Sequence, residues 1–397
     1  MCEERNVPDE ELIVHSGILV GGFLAHLFLN ALNTAYSTVL SLIKEELVLN
    51  YTLSGALMSS YFIGYTIGQI PWGLLADRVG SRRTITLSII GIAIFTVLFG
   101  MATNIWQAIA SRFVAGLLGA GVFVPGVKLI SAWFSPRRRG TALGALSIGG
   151  SIGLVITSWA APIMALSKGW RRPMIIYGAL GLVSSVAIWR MIKDKKQKVV
   201  SVRARVNLVS VLRSRSFWIL ALIQFIRLGS NFAFISWLPI LLKEEYGLSL
   251  ISAGIAFSLF NLSGMFANPA GGLMSDRMGE KLVILVSFSV IALDVLLFTL
   301  VRVSPLVYLV AFVLGWFINF VRTPSFSILP KIYGIEAAGR ISGIHNTFAS
   351  LGALVLPLLL GFIRDVTYSY QTGWVILSAL LFFGTFVTLF LEYNPYL

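Results

Sequence analysis

The residue most out of place in this chain is Arg227, set in the apolar run LIQFIRLGSNFAFISWLPILL. A guanidinium there is costly unless an anion, a set of carbonyls or a watery cavity meets it. Gln224 and Asn231 stand three before and four after it, on the same helical face. A second stripe, His26, Asn30, Asn33 and Ser37, repeats at helical spacing near the start of the chain. Tyr65 lies between Tyr61 and Gln69 in the next apolar run. Lys128, Arg322 and Arg112 add three more cations inside apolar stretches, whereas Asp294 is the one acid so placed. This chemistry is reversible recognition of an anion rather than bond breaking. Each residue also has a structural reading: a lone Arg or Lys can bind backbone carbonyls or reach the interface, and His26 can be a helix contact. Arg112 is read first as structural or gating.

Catalytic alternatives find little support. Ser151 sits in a Gly-x-Ser-x-Gly pattern, but that chemistry needs a strand-to-helix elbow, and this serine lies in a glycine-rich apolar helix. No phosphate-cradling glycine loop occurs, and Cys2 is the single cysteine, so neither ATP-driven chemistry nor a thiolate metal site is expected. No enzyme activity, metal or cofactor is predicted.

The elements that must position these residues are membrane helices. The chain is 57% hydrophobic and only 12% charged, with a mean hydropathy of +0.85. Apolar runs long enough to cross about 30 Å of hydrocarbon recur throughout. Spans are expected near 17–41, 53–76, 84–102, 105–131, 140–165, 173–192, 217–241, 252–275, 282–301, 305–329, 339–363 and 372–392. The continuous Leu, Ile, Gly and Ala runs exclude the alternating pattern of a barrel. The N-terminal stretch is acidic, which is wrong for a secretory signal. The formal charge of +14 comes largely from loops on one side, among them Arg82-Arg83, Arg137 to Arg139 and the stretch from Arg190 to Arg215. This asymmetry places both termini in the cytoplasm and removes any need for a nucleic-acid partner.

A fixed offset of 199 residues maps one half of the chain onto the other. Lys44-Glu45-Glu46 returns as Lys243-Glu244-Glu245, Pro125 as Pro324, Gly140 and Gly144 as Gly339 and Gly343, and Gly153 as Gly352. Asp77-Arg78-x-Gly80 likewise returns as Asp276-Arg277-x-Gly279. The expected organisation is a six-helix bundle over 1–190, a basic linker over 191–216 and a second bundle over 217–397, with a substrate site between repeats. The polar stripes of spans 1 and 7 fall one residue out of this register. Glycine pairs such as Gly140 and Gly144 are expected at close helix contacts.

The segment Gly73-Leu-Leu-Ala-Asp77-Arg78-Val-Gly80-Ser-Arg82-Arg83 resembles the loop motif of the major facilitator superfamily, with a weaker copy at Gly272, Asp276, Arg277, Gly279 and Lys281. Arg112-Phe-Val-Ala-Gly116 resembles that family's arginine motif of span 4. The resemblance covers essentially the whole chain and implies twelve helices in two pseudo-symmetric bundles and alternating access. In it, Gly73 admits a close helix, Asp77 pairs with a basic group, and Gly80 allows a tight turn. Span 7 and VPGVKLISAWFSPRRRGTALG look most like the anion:cation symporter group, in which the span 7 arginine is thought to meet a substrate carboxylate. Members of that group often carry an arginine in span 1, whereas HLFLNALNTAYS has none. One anionic group on the substrate therefore fits better than a phosphate held by two arginines. The resemblance implies coupling to H⁺ or Na⁺ and a monomer in the cytoplasmic membrane. A drug or metabolite exporter, and a receptor of the same fold without transport, are the competing functions.

Overall fold

The computed structural model describes residues 9–134, 136–195, 208–300, 304–333 and 335–392, and every regular element among them is helical. The first span is composite: α1 (Asp9–Thr34) gives way to a 3₁₀ turn at Ser37–Val39 and then α2 (Leu40–Glu46). Five single helices follow, α3 (Tyr51–Val79), α4 (Ser81–Gly100), α5 (Ile105–Trp133), α6 (Pro136–Lys168) and α7 (Arg171–Met191). A short α8 (Leu208–Arg213) precedes α9 (Arg215–Glu244), α10 (Leu250–Met278) and α11 (Glu280–Leu300). The tenth span is again broken, into α12 (Ser304–Phe320) and α13 (Pro324–Tyr333), before α14 (Ile335–Thr367) and α15 (Tyr370–Leu389) complete the set. Eleven of the twelve spans are long and apolar enough to cross a bilayer by length and composition. The twelfth, α3, has the length at 29 residues, but its serines, threonines, tyrosines and Gln69 dilute its apolar character. Several helices outrun the expected spans because their polar end turns stay helical beyond the apolar stretch.

By packing, the chain forms two compact units that do not follow the sequence repeat. One gathers Met1–Ala35, Ile63–Thr157 and Arg171–Val200; the other gathers Tyr36–Phe62, Ser158–Trp170 and Ser201–Leu397. The second unit thus contains the far ends of spans 1, 2 and 5 as well as the second half of the chain. Residues 196–207 of the basic linker lie outside the described residues, as do the side chains of Arg137 to Arg139.

Close helix contacts in each unit depend on glycine. Gly149 and Gly153 on α6 abut the backbone carbonyls of Phe23 and Leu27 on α1, with no room for a Cβ. In the other unit Gly352 on α14 abuts the carbonyl of Phe225 on α9 in the same way. The expectation for other glycines is corrected: Gly144, Gly343 and Gly73 have open space where a Cβ would go. The helices of the first unit touch a turn further on, at Gly149 and Gly153, so Gly144 is not at the contact.

These contacts also explain the slipped register. Gly153 and Gly352 keep the 199 offset, but Leu27 and Phe225, which they touch, differ by 198. By the Lys-Glu-Glu repeats the offset is 199 again. Span 7 therefore uses one residue more than span 1 over this stretch. A 3₁₀ turn rises about 2.0 Å per residue against about 1.5 Å for an α-helix, so the Ser37–Val39 turn covers the same length, roughly 27 Å, with one residue fewer. In the corrected register His26 matches Gln224, Asn33 matches Asn231, and Arg227 falls opposite Leu29.

Candidate functional site

The strongest site builds up around Arg227 in the second unit. Arg227 is 4% exposed and Gln224 fully buried, because α9 presents both to helix neighbours rather than to lipid. The Nε of Arg227 donates to Gln224 Oε1 at 2.9 Å. Gln224 in turn donates from Nε2 to the Ser325 carbonyl at 3.0 Å. The guanidinium lies 5.5 Å from the centre of the Phe326 ring, a cation–π contact. One face of Arg227 is thus fixed by a hydrogen bond and an aromatic ring. Among the described residues its four terminal N–H groups have no hydrogen-bond partner, and no carboxylate pairs with it.

The break in span 10 supplies the other wall. Pro324 opens α13, where its missing N–H costs nothing and its fixed φ suits the first helical position. The residues before it turn, with Arg322 N–H donating to Asn319 O at 3.1 Å and Ser325 N–H to Val321 O at 3.1 Å. The side chain of Arg322 in this turn is exposed, and Ser325 Oγ donates to the Arg322 carbonyl at 2.7 Å. Arg322 is close enough for its charge to act on Arg227. The Arg227 guanidinium, with its terminal donors uncommitted among the described residues, is a group that a bidentate oxyanion could meet with charge-assisted hydrogen bonds of about twice the ordinary strength. Asn231, half-buried one turn along α9, extends the same face.

The candidates in the first unit are placed differently. Arg112 on α5 is 3% exposed and grips Asn33, with Nη1 donating to its carbonyl and Nη2 to its Oδ1, both at 2.9 Å. This pairing takes Asn33 out of the set of uncommitted polar groups. Asn30 donates to the His26 carbonyl at 3.0 Å and approaches Gly150 on α6. His26 is buried, its ring 5.4 Å from that of Phe123. Tyr65 is half-buried on α3.

Lys128 is paired with Asp77 at 2.5 Å and also donates to the Ala76 carbonyl at 3.2 Å. Asp77 therefore has the basic partner expected of it, and Lys128 belongs to the loop motif rather than standing as an open cation. The motif's glycines behave as expected at the turns: Gly80 has φ +89° and Gly279 φ +82°, a region that side chains disfavour. Arg82 donates from Nε to the Trp189 carbonyl at 2.8 Å and lies over the Trp189 ring. Its counterpart Lys281 donates to the carbonyls of Leu389 and Leu391 at 2.7 and 2.9 Å. Both basic residues thus cap the C-terminal end of the sixth helix of their own half. Arg78, Arg83, Asp276 and Arg277 are exposed, and Gly272 lies beside Thr323. Sequence reasoning missed Ser325 and Phe326, for which Pro324 was the only local signal.

Comparison with known proteins agrees with this architecture. Over 372 residues the chain is 27% identical to a protein of Bacillus subtilis strain 168 named "Nitrite extrusion protein", covering 93% of this chain and 90% of that one. It is also 27% identical to a "Probable L-galactonate transporter" of Escherichia coli K12, covering 89% and 84%. A "Probable sulfoacetate transporter SauU" of Cupriavidus necator shares 27% identity, covering 91% and 89%. Two crystal structures of a bacterial homolog to the human lysosomal transporter Spinster share the fold. The inward-facing unoccupied form has a TM-score of 0.78 at 17% identity, covering 96% of this chain and 99% of that one. The inward-facing occupied form has 0.81 at 16%, covering 94% and 96%. A family model described as Major Facilitator Superfamily matches residues 18–357 and 220–396, and this chain therefore belongs to the Major Facilitator Superfamily, a membrane transporter and not an enzyme.

Proposed function

We propose that this protein is a secondary transporter of a small organic or inorganic anion, and that Arg227 is the principal substrate contact. The observation that carries the reading is a buried guanidinium held by Gln224 and Phe326 with its terminal donors uncommitted. A charge so placed loses hydration worth several kcal/mol, which an incoming anion offsets. Arg322 raises the positive potential from the broken span, Asn231 lines the same face, and Gln224 acts as the positioning residue for Arg227. The anions named for the relatives, nitrite, L-galactonate and sulfoacetate, belong to this class. In the first unit His26, Asn30 and Tyr65 are the residues assigned to the pathway. Lys128 and Asn33 serve it through their partners. Transport proceeds by alternating access coupled to H⁺ or Na⁺, in a monomer in the cytoplasmic membrane with both termini inside.

The test is thermal stabilisation of the purified parent, Arg227→Ala and Arg227→Lys by nitrite, aldonates, sulfonates, neutral sugars and cationic drugs. Ligand at about 100 times its Kd adds about 2.7 kcal/mol to the folded state. The expected result is stabilisation of the parent by one anion class, lost in Arg227→Ala and weakened in Arg227→Lys. Stabilisation by sugars or drugs alone, or equal responses of all three proteins, would sink the anion site and leave the fold intact.

A further inference from the structure

The duplicated Lys-Glu-Glu steps do more than mark the repeat. Both copies belong to the same compact unit, where each bonds the other. Lys44 Nζ lies 3.1 Å from Glu244 Oε1, and Lys243 Nζ lies 2.9 Å from Glu45 Oε1. The 199 offset carries the first pair onto the second, since Lys44 maps to Lys243 and Glu45 to Glu244. Two contacts exchanged in this way, i with j and j with i, are the mark of a two-fold contact between repeats.

The pairs are equivalent in sequence but not in surroundings. Glu244 also accepts hydrogen bonds from Tyr51 and Tyr370, each 2.7 Å from Oε2. Lys44 lies 3.6 Å above the Tyr51 ring, and Arg364 lies 4.7 Å from the rings of Tyr51 and Tyr370. The Lys44 and Glu244 side chains are 19% and 26% exposed, whereas Glu45 is 66% exposed. The first pair is therefore sheltered and multiply bonded, and the second is open to solvent and salt. Beside them Asp365 on α14 accepts the N–H groups of Tyr51 and Thr52, the first turn of α3, at 2.9 and 2.7 Å.

We infer that these residues form a reciprocal latch that holds the outer ends of spans 1 and 2 against those of spans 7, 11 and 12, and that its release opens the pathway to the outer face. Glu244 is the principal member, because four side-chain groups depend on its carboxylate or on the rings around it. Glu45 and Lys243 form the weaker arm. The inference concerns gating and stands whether or not the substrate is an anion.

The test uses the lone cysteine to advantage. In a Cys2→Ser background, Ser59→Cys places a thiol two turns below Tyr51, at a position now 3% exposed and bonded to the Leu354 carbonyl. The rate of its modification by a membrane-impermeant maleimide in right-side-out vesicles reads the open fraction. Glu244→Gln is expected to speed labelling about three- to tenfold, and Glu45→Gln by less than about threefold. Glu244→Lys, facing Lys44, opens further, and the swapped Lys44→Glu/Glu244→Lys pair, which restores the ion pair but not the acceptor for Tyr51 and Tyr370, labels more slowly than the single reversal while staying faster than the parent. Lys44→Gln removes the same pair from its other side and serves if a Glu244 variant does not elute as a folded monodisperse protein. Labelling at the parental rate in both neutral variants, or a swapped pair as fast as the single reversal, would overturn the latch.

Discussion

At the ends of the repeats that carry Lys-Glu-Glu, the outer ends in the proposed orientation, duplicated residues reach across to each other's copy; at the ends that carry the loop motif, the inner ends in that orientation, they bond inside their own half. Lys44 and Lys243 exchange partners with Glu244 and Glu45. In contrast, Arg82 bonds Trp189 and Lys281 bonds Leu389 and Leu391, each on the sixth helix of its own half. One duplication has thus yielded two kinds of contact. The outer kind disappears when the repeats part and so can act as a switch. The inner kind survives any movement of one repeat against the other and so acts as a brace. The difference also separates what a substitution should change: outer variants should move a conformational equilibrium, inner variants the stability of a bundle.

The largest inner effect is expected at the turns. Gly80 and Gly279 combine φ near +85° with ψ of 162° and 146°, a region nearly restricted to glycine, where a side chain costs about 1–3 kcal/mol. At Gly80 a Cβ would also collide with the Asp194 carboxylate. Gly80→Ala should therefore lower the apparent melting temperature more than Gly279→Ala, with neither altering Ser59→Cys labelling in the surviving folded protein. Faster labelling in Gly80→Ala would mean that the inner turn takes part in gating and would blur the distinction.

The middle effect belongs to Asp365. Its carboxylate bonds two N–H groups at the start of α3 and the Thr52 hydroxyl, so it does for α3 from another helix what an N-cap residue does locally. Loss of an N-cap costs about 0.5–2 kcal/mol. Because α14 supplies the carboxylate, Asp365→Ala should both lower the melting temperature and speed outer labelling. A change in melting temperature alone would reduce Asp365 to a brace.

How far the sequence foretold these contacts depends on their range. Twelve spans and Arg227 were legible because a long apolar run and a charge within it are local facts. The partnership of Arg227 with Gln224 was half legible, three residues apart on one face, but Ser325 and Phe326 reached the site through a break in another helix. Asn33 looked like a pathway residue by its spacing, yet Arg112, 79 residues away, occupies it. Gly144 and Gly343 carried the small-residue spacing of a helix contact, but the neighbour's position decides which glycines touch. The Lys-Glu-Glu repeat was visible as a repeat, and its cross-pairing was not, since that depends on two segments meeting 199 residues apart.

The smallest effect tests the brace most directly. Arg82 and Lys281 are the same motif position in two copies, yet one caps with a guanidinium stacked on Trp189 and the other with a flexible ammonium. A cation at a helix C-terminus is worth about 0.3–1 kcal/mol at low ionic strength and less as salt screens it. Lys281→Ala should therefore lower the melting temperature slightly in dilute buffer and hardly at all in 1 M salt (roughly a 3 Å screening length). Arg82→Ala also loses the planar contact with the indole, which salt does not screen, so part of its effect should persist. If the two variants respond to salt alike, stacking on Trp189 adds nothing to the cap and the two inner copies are energetically equivalent.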